Sequence, residues 1–100
     1  MERIEIVLGK VRGEIQLFSD ENKAGKMDIS IIGKKLTVYH TEVSPEYEGK
    51  GFAKILLERL VSYARENDLK IVPLCPYVHL QFKRHPEEYN DVWLKEEGEL

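Results

Sequence analysis

The sequence predicts an α+β domain built on a mostly antiparallel sheet with one central β-helix-β unit. Three observations carry that reading. The first half of the chain is a run of alternating apolar stretches separated by short turns. After Ser44-Pro45 the apolar spacing changes from two residues to three and four. A short apolar strand then follows the helix so marked, as in a parallel crossover.

At 100 residues the chain is long enough for one domain, spanning 1–100, and one modest core. Residues 3–8 alternate, with Ile4, Ile6 and Leu8 on one face, and residues 13–18 repeat the pattern. Asp20, Glu21, Asn22 and Lys23 form a turn cluster before a third strand over 26–32. Gly33, Lys34 and Lys35 reverse the chain into a fourth strand, 36–43, rich in β-branched and aromatic residues. From Gly51 to about Asn67, Ala53, Leu56, Leu57, Leu60 and Ala64 fall on one stripe, opposite Lys54, Glu58, Ser62 and Arg65. A strand follows over 69–74. Pro76 suits a first helical position, and a short helix over 77–84 stops at His85-Pro86. A last helical turn is expected to pack Tyr89, Val92 and Trp93, with an acidic tail from Lys95 to Leu100 that frays.

Composition narrows the function. Hydrophobic residues at 42% and charged residues at 33% describe an ordinary soluble domain. No apolar run reaches the roughly 18–20 residues that would span a bilayer, so no membrane partner is expected. The start, Met1-Glu2-Arg3-Ile4-Glu5, alternates and lacks the apolar block of a signal peptide. A single cysteine, Cys75, rules out an internal disulfide and suits a reducing, cytoplasmic location. The net charge of −3 is the wrong sign for a duplex-binding surface, so no nucleic-acid partner is expected.

The segment Glu46-Tyr47-Glu48-Gly49-Lys50-Gly51-Phe52-Ala53 lies between a strand and a helix. Two glycines one residue apart let the backbone turn sharply and approach a ligand. The helix that follows offers free N–H groups and the positive end of its dipole, which favour a phosphate. On the residues alone the same pattern also fits a plain strand-to-helix turn with a helix cap. It is neither a Walker loop nor a dinucleotide fingerprint.

The stretch from His40 through this loop to Leu57 resembles the acetyl-CoA-binding segment of the GNAT (N-acetyltransferase) superfamily: a strand, a Q/R-x-x-G-x-G/A loop, then a long helix. With Pro73-Leu74-Cys75-Pro76-Tyr77-Val78 and His85-Pro86, it is similar to a subfamily of very short N-acetyltransferase-domain proteins. The resemblance runs from about residue 25 to residue 93. It implies a minimal GNAT-like acyl-CoA N-acyltransferase fold, with acetyl-CoA as acyl donor and a small-molecule or protein acceptor. In that superfamily the strands before the loop and after the helix splay apart around the pantetheine arm. The backbones of Thr41 and Val43 would then bond the pantetheine, and Glu48, Gly49, Lys50, Gly51, Phe52 and Ala53 the pyrophosphate. Two departures stand out. Glu46 replaces the usual Gln or Arg, and the first two strands are joined without the helices that build the acceptor pocket in longer members.

Cys75 precedes Pro76 and so sits at a helix N-cap, where a thiolate is favoured. Beside a thioester it is a candidate catalytic nucleophile, although a cysteine acting as a small buried hydrophobe is the equal alternative. His40 is the candidate general base for Cys75 or an incoming amine. His79 lies one turn beyond Cys75, and His85 reads as a helix-end cap. Tyr39, Tyr47 and Tyr77 are candidate acids, as a tyrosine is in some members of the superfamily. Trp93 reads as a core plug. The histidines lack metal-ligand spacing, so no metal is expected.

Overall fold

The computed structural model of the chain describes residues 1–95. Strands β1 (Glu2–Leu8), β2 (Arg12–Ser19), β3 (Asn22–Ile32) and β4 (Lys35–Val43) pair antiparallel in sequence order. Helix α1 (Phe52–Glu66) then crosses over, and β5 (Lys70–Pro73) adds parallel to β4. Helices α2 (Pro76–Arg84) and α3 (Pro86–Tyr89) follow. The fold is the α+β meander with one parallel unit that the sequence predicts.

Two local expectations are corrected. The turn after β2 contains only Asp20 and Glu21, and Asn22 and Lys23 pair with Ser19 and Phe18 as the start of β3. A bulge between Leu17 and Phe18 takes up Ala24, so the ladder overrides the poor strand propensity of those polar residues. Val92 and Trp93 lie beyond α3 and are not helical. Instead, Trp93 forms a parallel bridge to Ile71: the Ile71 N–H donates to the Val92 carbonyl at 2.6 Å, and the Leu94 N–H donates to Ile71 at 2.8 Å. Trp93 still fills the core, tilted against Phe82 at 5.7 Å. Residues 96–100, expected to fray, lie outside the described residues.

One face of the sheet carries the core. Ile15, Leu17, Met27, Ile29, Leu36 and Val38 are fully buried against Leu56, Leu57 and Leu60 of α1. The predicted stripe is turned slightly, since Phe52 and Val61 are buried while Ala53 is only partly covered. The helices are tied together by Arg65, whose guanidinium donates to both Asp91 carboxylate oxygens at 2.8 and 3.0 Å and to the Glu88 carbonyl at 2.8 Å.

The opposite face of β2 and β3 is polar. Glu14 accepts from Gln16 and from Lys23, each at 3.0 Å, and Lys26 sits between Glu14 and Asp28. The Gln16 bond, followed by that from Lys23, lowers the Glu14 pKa from its ordinary 4.5 to about 2. A depressed carboxylate stabilises the fold above its unfolded value and loses that contribution as pH falls through the folded one. Glu14→Gln should therefore flatten the fall in stability between about pH 4.5 and pH 2, measured by urea unfolding across that window.

Candidate functional site

The pairing of β4 with β5 runs only from Lys35↔Lys70 to Val38↔Pro73. Pro73 has no N–H to continue the ladder. Leu74 turns its N–H back onto the Val72 carbonyl at 3.1 Å and its side chain out to solvent. The Cys75 N–H, just past β5, then donates to the Val38 carbonyl at 2.9 Å, the last backbone hydrogen bond across this seam. Residues 39–43 of β4 continue along β3 with no β5 partner, so a gap opens beside them.

A second bulge decides what faces that gap. Opposite Asp28 and Ile29 of β3 lie His40 and Val38, which leaves Tyr39 as an extra residue. Before it, the Val38 carbonyl points toward β5; after it, the Ser44 N–H points to Ala24 in β3 at 2.8 Å. Alternation from Ser44 therefore turns the backbones of Thr41 and Val43 toward the gap. These are the two positions the superfamily resemblance assigns to it.

The far end of the gap is the glycine loop. After a 3-10 turn over Pro45–Tyr47, Gly49 and Gly51 take φ values of +82° and +77°. No atom lies within 4 Å of a Cβ added at either. Gly51 is the N-cap of α1 and supplies no side-chain cap; the Ile55 N–H is the first to bond back, to the Gly51 carbonyl at 3.3 Å. The earlier N–H groups have no helical acceptor. They border a pocket of about 260 Å³ lined by Val43, Tyr47, Glu48, Gly49, Gly51, Phe52 and Ala53. Tyr47 and Phe52 stack at 5.7 Å and wall one side. Six of the eight expected ligand-binding residues thus meet at one pocket. Lys50 is exposed and outside its lining, and Thr41 lies further along β4. Glu46 is likewise exposed and outside the lining.

Cys75 is the N-cap of α2, as expected from Pro76. Its side chain is only 2% exposed, and Sγ shares a 3.2 Å hydrogen bond with Thr41 Oγ1. The thiol is closed to bulk solvent and ties the two diverging strands together on the core face. His40 is exposed and pairs with Asp28 on the opposite face from Thr41, so the fold does not bring it to Cys75. The alternation seen in the sequence could not show this, because the bulge at Tyr39 resets it. His79 is set into α2, its N–H donating to the Cys75 carbonyl at 3.0 Å and its ring edge-on to Trp93 at 5.9 Å. His85 caps α2, donating its N–H to Gln81 at 3.0 Å, and opens α3. Of the tyrosines, Tyr77 stands nearest Cys75 in the chain. Its pKa is raised, by burial first and then by Cys75 and Glu58. Among the described residues no group of three or more His, Cys, Asp or Glu could hold a metal ion.

A family model described as GCN5-related N-acetyl-transferase matches residues 13–92. Protein NATD1 of Homo sapiens is 36% identical over 56 residues, which is 55% of this chain and 50% of that protein. NATD1 of Mus musculus matches equally, over 51% of its length. The chain spans about half the length of the curated relatives it matches. Among solved structures, a GCN5-like protein of Staphylococcus aureus is 32% identical, with a TM-score of 0.62 over 94% of this chain and 91% of that one. PaiA N-acetyltransferase of Thermoplasma acidophilum, solved in complex with coenzyme A, shares the fold with a TM-score of 0.59 at 18% identity, over 78% of this chain and 50% of that one. The family match spans the strands, the loop and the crossover that build the gap, and this chain belongs to the GCN5-related N-acetyltransferase family.

Proposed function

We propose that the protein binds acetyl-CoA along the β4–β5 gap and transfers its acetyl group to a small-molecule or protein acceptor. The observation that carries this reading is the alignment of two features. A stretch of β4 without a β5 partner, with the backbones of Thr41 and Val43 turned outward from β3, leads directly into a pocket formed by two positive-φ glycines and a helix start without a side-chain cap. A chain of amide groups suits the strand edge, and a pyrophosphate suits the helix start. Space where a Cβ would stand at Gly49 and Gly51 fits a ligand that approaches the backbone closely.

The thioester end of the ligand would then lie toward Cys75 and Tyr77. Tyr77 stays protonated through the neutral range and would hold the proton needed by the departing CoA sulfur. Attack of Cys75 Sγ on the thioester would move the acetyl group onto that sulfur and release CoA as its thiol, Tyr77 giving its proton to the CoA sulfur and regaining one from the cysteine. His40, on the other face, would serve an incoming amine rather than Cys75.

A second reading, a non-catalytic acyl-CoA-binding module, is favoured by the burial of Cys75 and by the direct hairpin from β1 to β2, where longer members build the acceptor pocket. Incubation with acetyl-CoA followed by intact-mass measurement separates the two. One added acetyl group, absent in Cys75→Ala while CoA binding persists, supports the covalent route. CoA binding with neither an adduct nor transfer to any amine supports the module. No CoA binding at all overturns both.

A further inference from the structure

We infer that Tyr39, anchored by Ser30 and Arg12, sets the phase of β4 and so aims the Thr41 and Val43 backbones into the gap. The inference rests on the acetyl-CoA reading and deepens it by naming a positioning residue outside the gap.

The ladder itself does not fix which residue of β4 is extruded. With Tyr39 unpaired between Val38 and His40, a neighbouring residue could take the bulge after a one-residue slip on one side. Each alternative changes the outcome at the site. Without the bulge at Tyr39, alternation from Val38 would turn the backbones of His40 and Glu42 toward the gap. It would also carry the Thr41 side chain away from Cys75, with which it now shares a hydrogen bond.

Tyr39 is held instead through its side chain. Its phenol oxygen lies 2.8 Å from Ser30 Oγ, and Ser30, on the sheet face opposite the core, is 3% exposed. The Arg12 guanidinium stacks over the same ring, 4.3 Å from its centroid. Arg12 pairs with Ser30, and Ser30 with Thr37, so the anchor spans β2, β3 and β4 in one row. A slip of β4 would break the hydrogen bond between Ser30 and Tyr39 and part the ring from Arg12, which disfavours every other position of the bulge.

Tyr39→Phe keeps the ring and removes only the hydroxyl, and Ser30→Ala removes the other half of the pair. In the free protein each should displace the backbone amide resonances of Thr41 and Val43. Each should also weaken CoA binding about three- to tenfold, the span of one neutral hydrogen bond. The double variant should be no weaker than either single one, as for two halves of one interaction. A purely stabilising bond would lower the melting temperature and leave those amides and the CoA affinity where they were, and that result overturns the inference. Should the unaltered protein bind no CoA, the acetyl-CoA reading falls, and the Thr41 and Val43 resonances alone decide the role of Tyr39.

Discussion

Gly51→Val is expected to abolish coenzyme A binding while leaving a folded protein. Gly51 sits at φ +77°, a conformation that costs a residue with a Cβ roughly 1–2 kcal/mol. The fold can bear that, because nothing lies within 4 Å of the added Cβ. That empty space is also what the ligand requires. Valine's two methyl groups would stand at the mouth of the pocket lined by Glu48, Gly49 and Phe52, in front of the unbonded N–H groups of α1. Gly51→Ala should fall between valine and the unaltered chain. Lys50→Ala should lose little, since one exposed charge is worth about 1 kcal/mol or less. Calorimetric titration with CoA, with circular dichroism as a check on folding, reads this directly. Near-normal affinity in Gly51→Val would remove the loop from the binding site.

The second large effect is expected at Tyr77. If its phenol protonates the departing CoA sulfur, Tyr77→Phe should slow acetyl transfer by roughly 10²–10⁴, the range of a positioned general acid. CoA affinity should hardly change, because the phenol acts on the reacting sulfur and not on the pyrophosphate. Burial raises the Tyr77 pKa above its ordinary 10, so the group remains a competent acid across the neutral range. The sign follows: the rate should hold on the acid side and decline as pH rises through the raised value. Tyr77→Phe should lose that alkaline decline together with the rate. A phenylalanine variant that transfers acetyl groups at the normal rate would leave Tyr77 a packing residue.

Much of the architecture is legible in the residues because each element obeys one period. Ile15 and Leu17, Met27 and Ile29, and Leu36 and Val38 alternate as strands do, and Leu56, Leu57 and Leu60 repeat as a helix does. The glycine loop is legible too, since positive φ is a demand that glycine meets most readily. What escaped the pattern is the phase of the strands. Neither bulge, at Ala24 or at Tyr39, is marked by a residue type that would betray it, yet the second one decides that Thr41 faces the core and His40 the other side. Val92 and Trp93 were equally hidden: their apolar spacing from Tyr89 fits a helical turn, and only the free edge of β5 draws Trp93 into a bridge with Ile71. The burial of Cys75 is also a property of assembly, set by the proximity of Thr41 from a distant part of the chain.

The divided pairing of β4 bears on how the molecule comes together. The first four strands are joined by tight hairpins, whose contacts form early because little chain must be gathered for each. The short parallel ladder from Lys35↔Lys70 to Val38↔Pro73 can close only after α1 has folded back across the sheet. The cleft is defined by where that ladder stops, so a chain with its hairpins formed and its crossover open has no cleft. A ligand that recognises the cleft therefore selects fully assembled molecules. By mass action it stabilises the last and most remote pairing more than the meander beneath it.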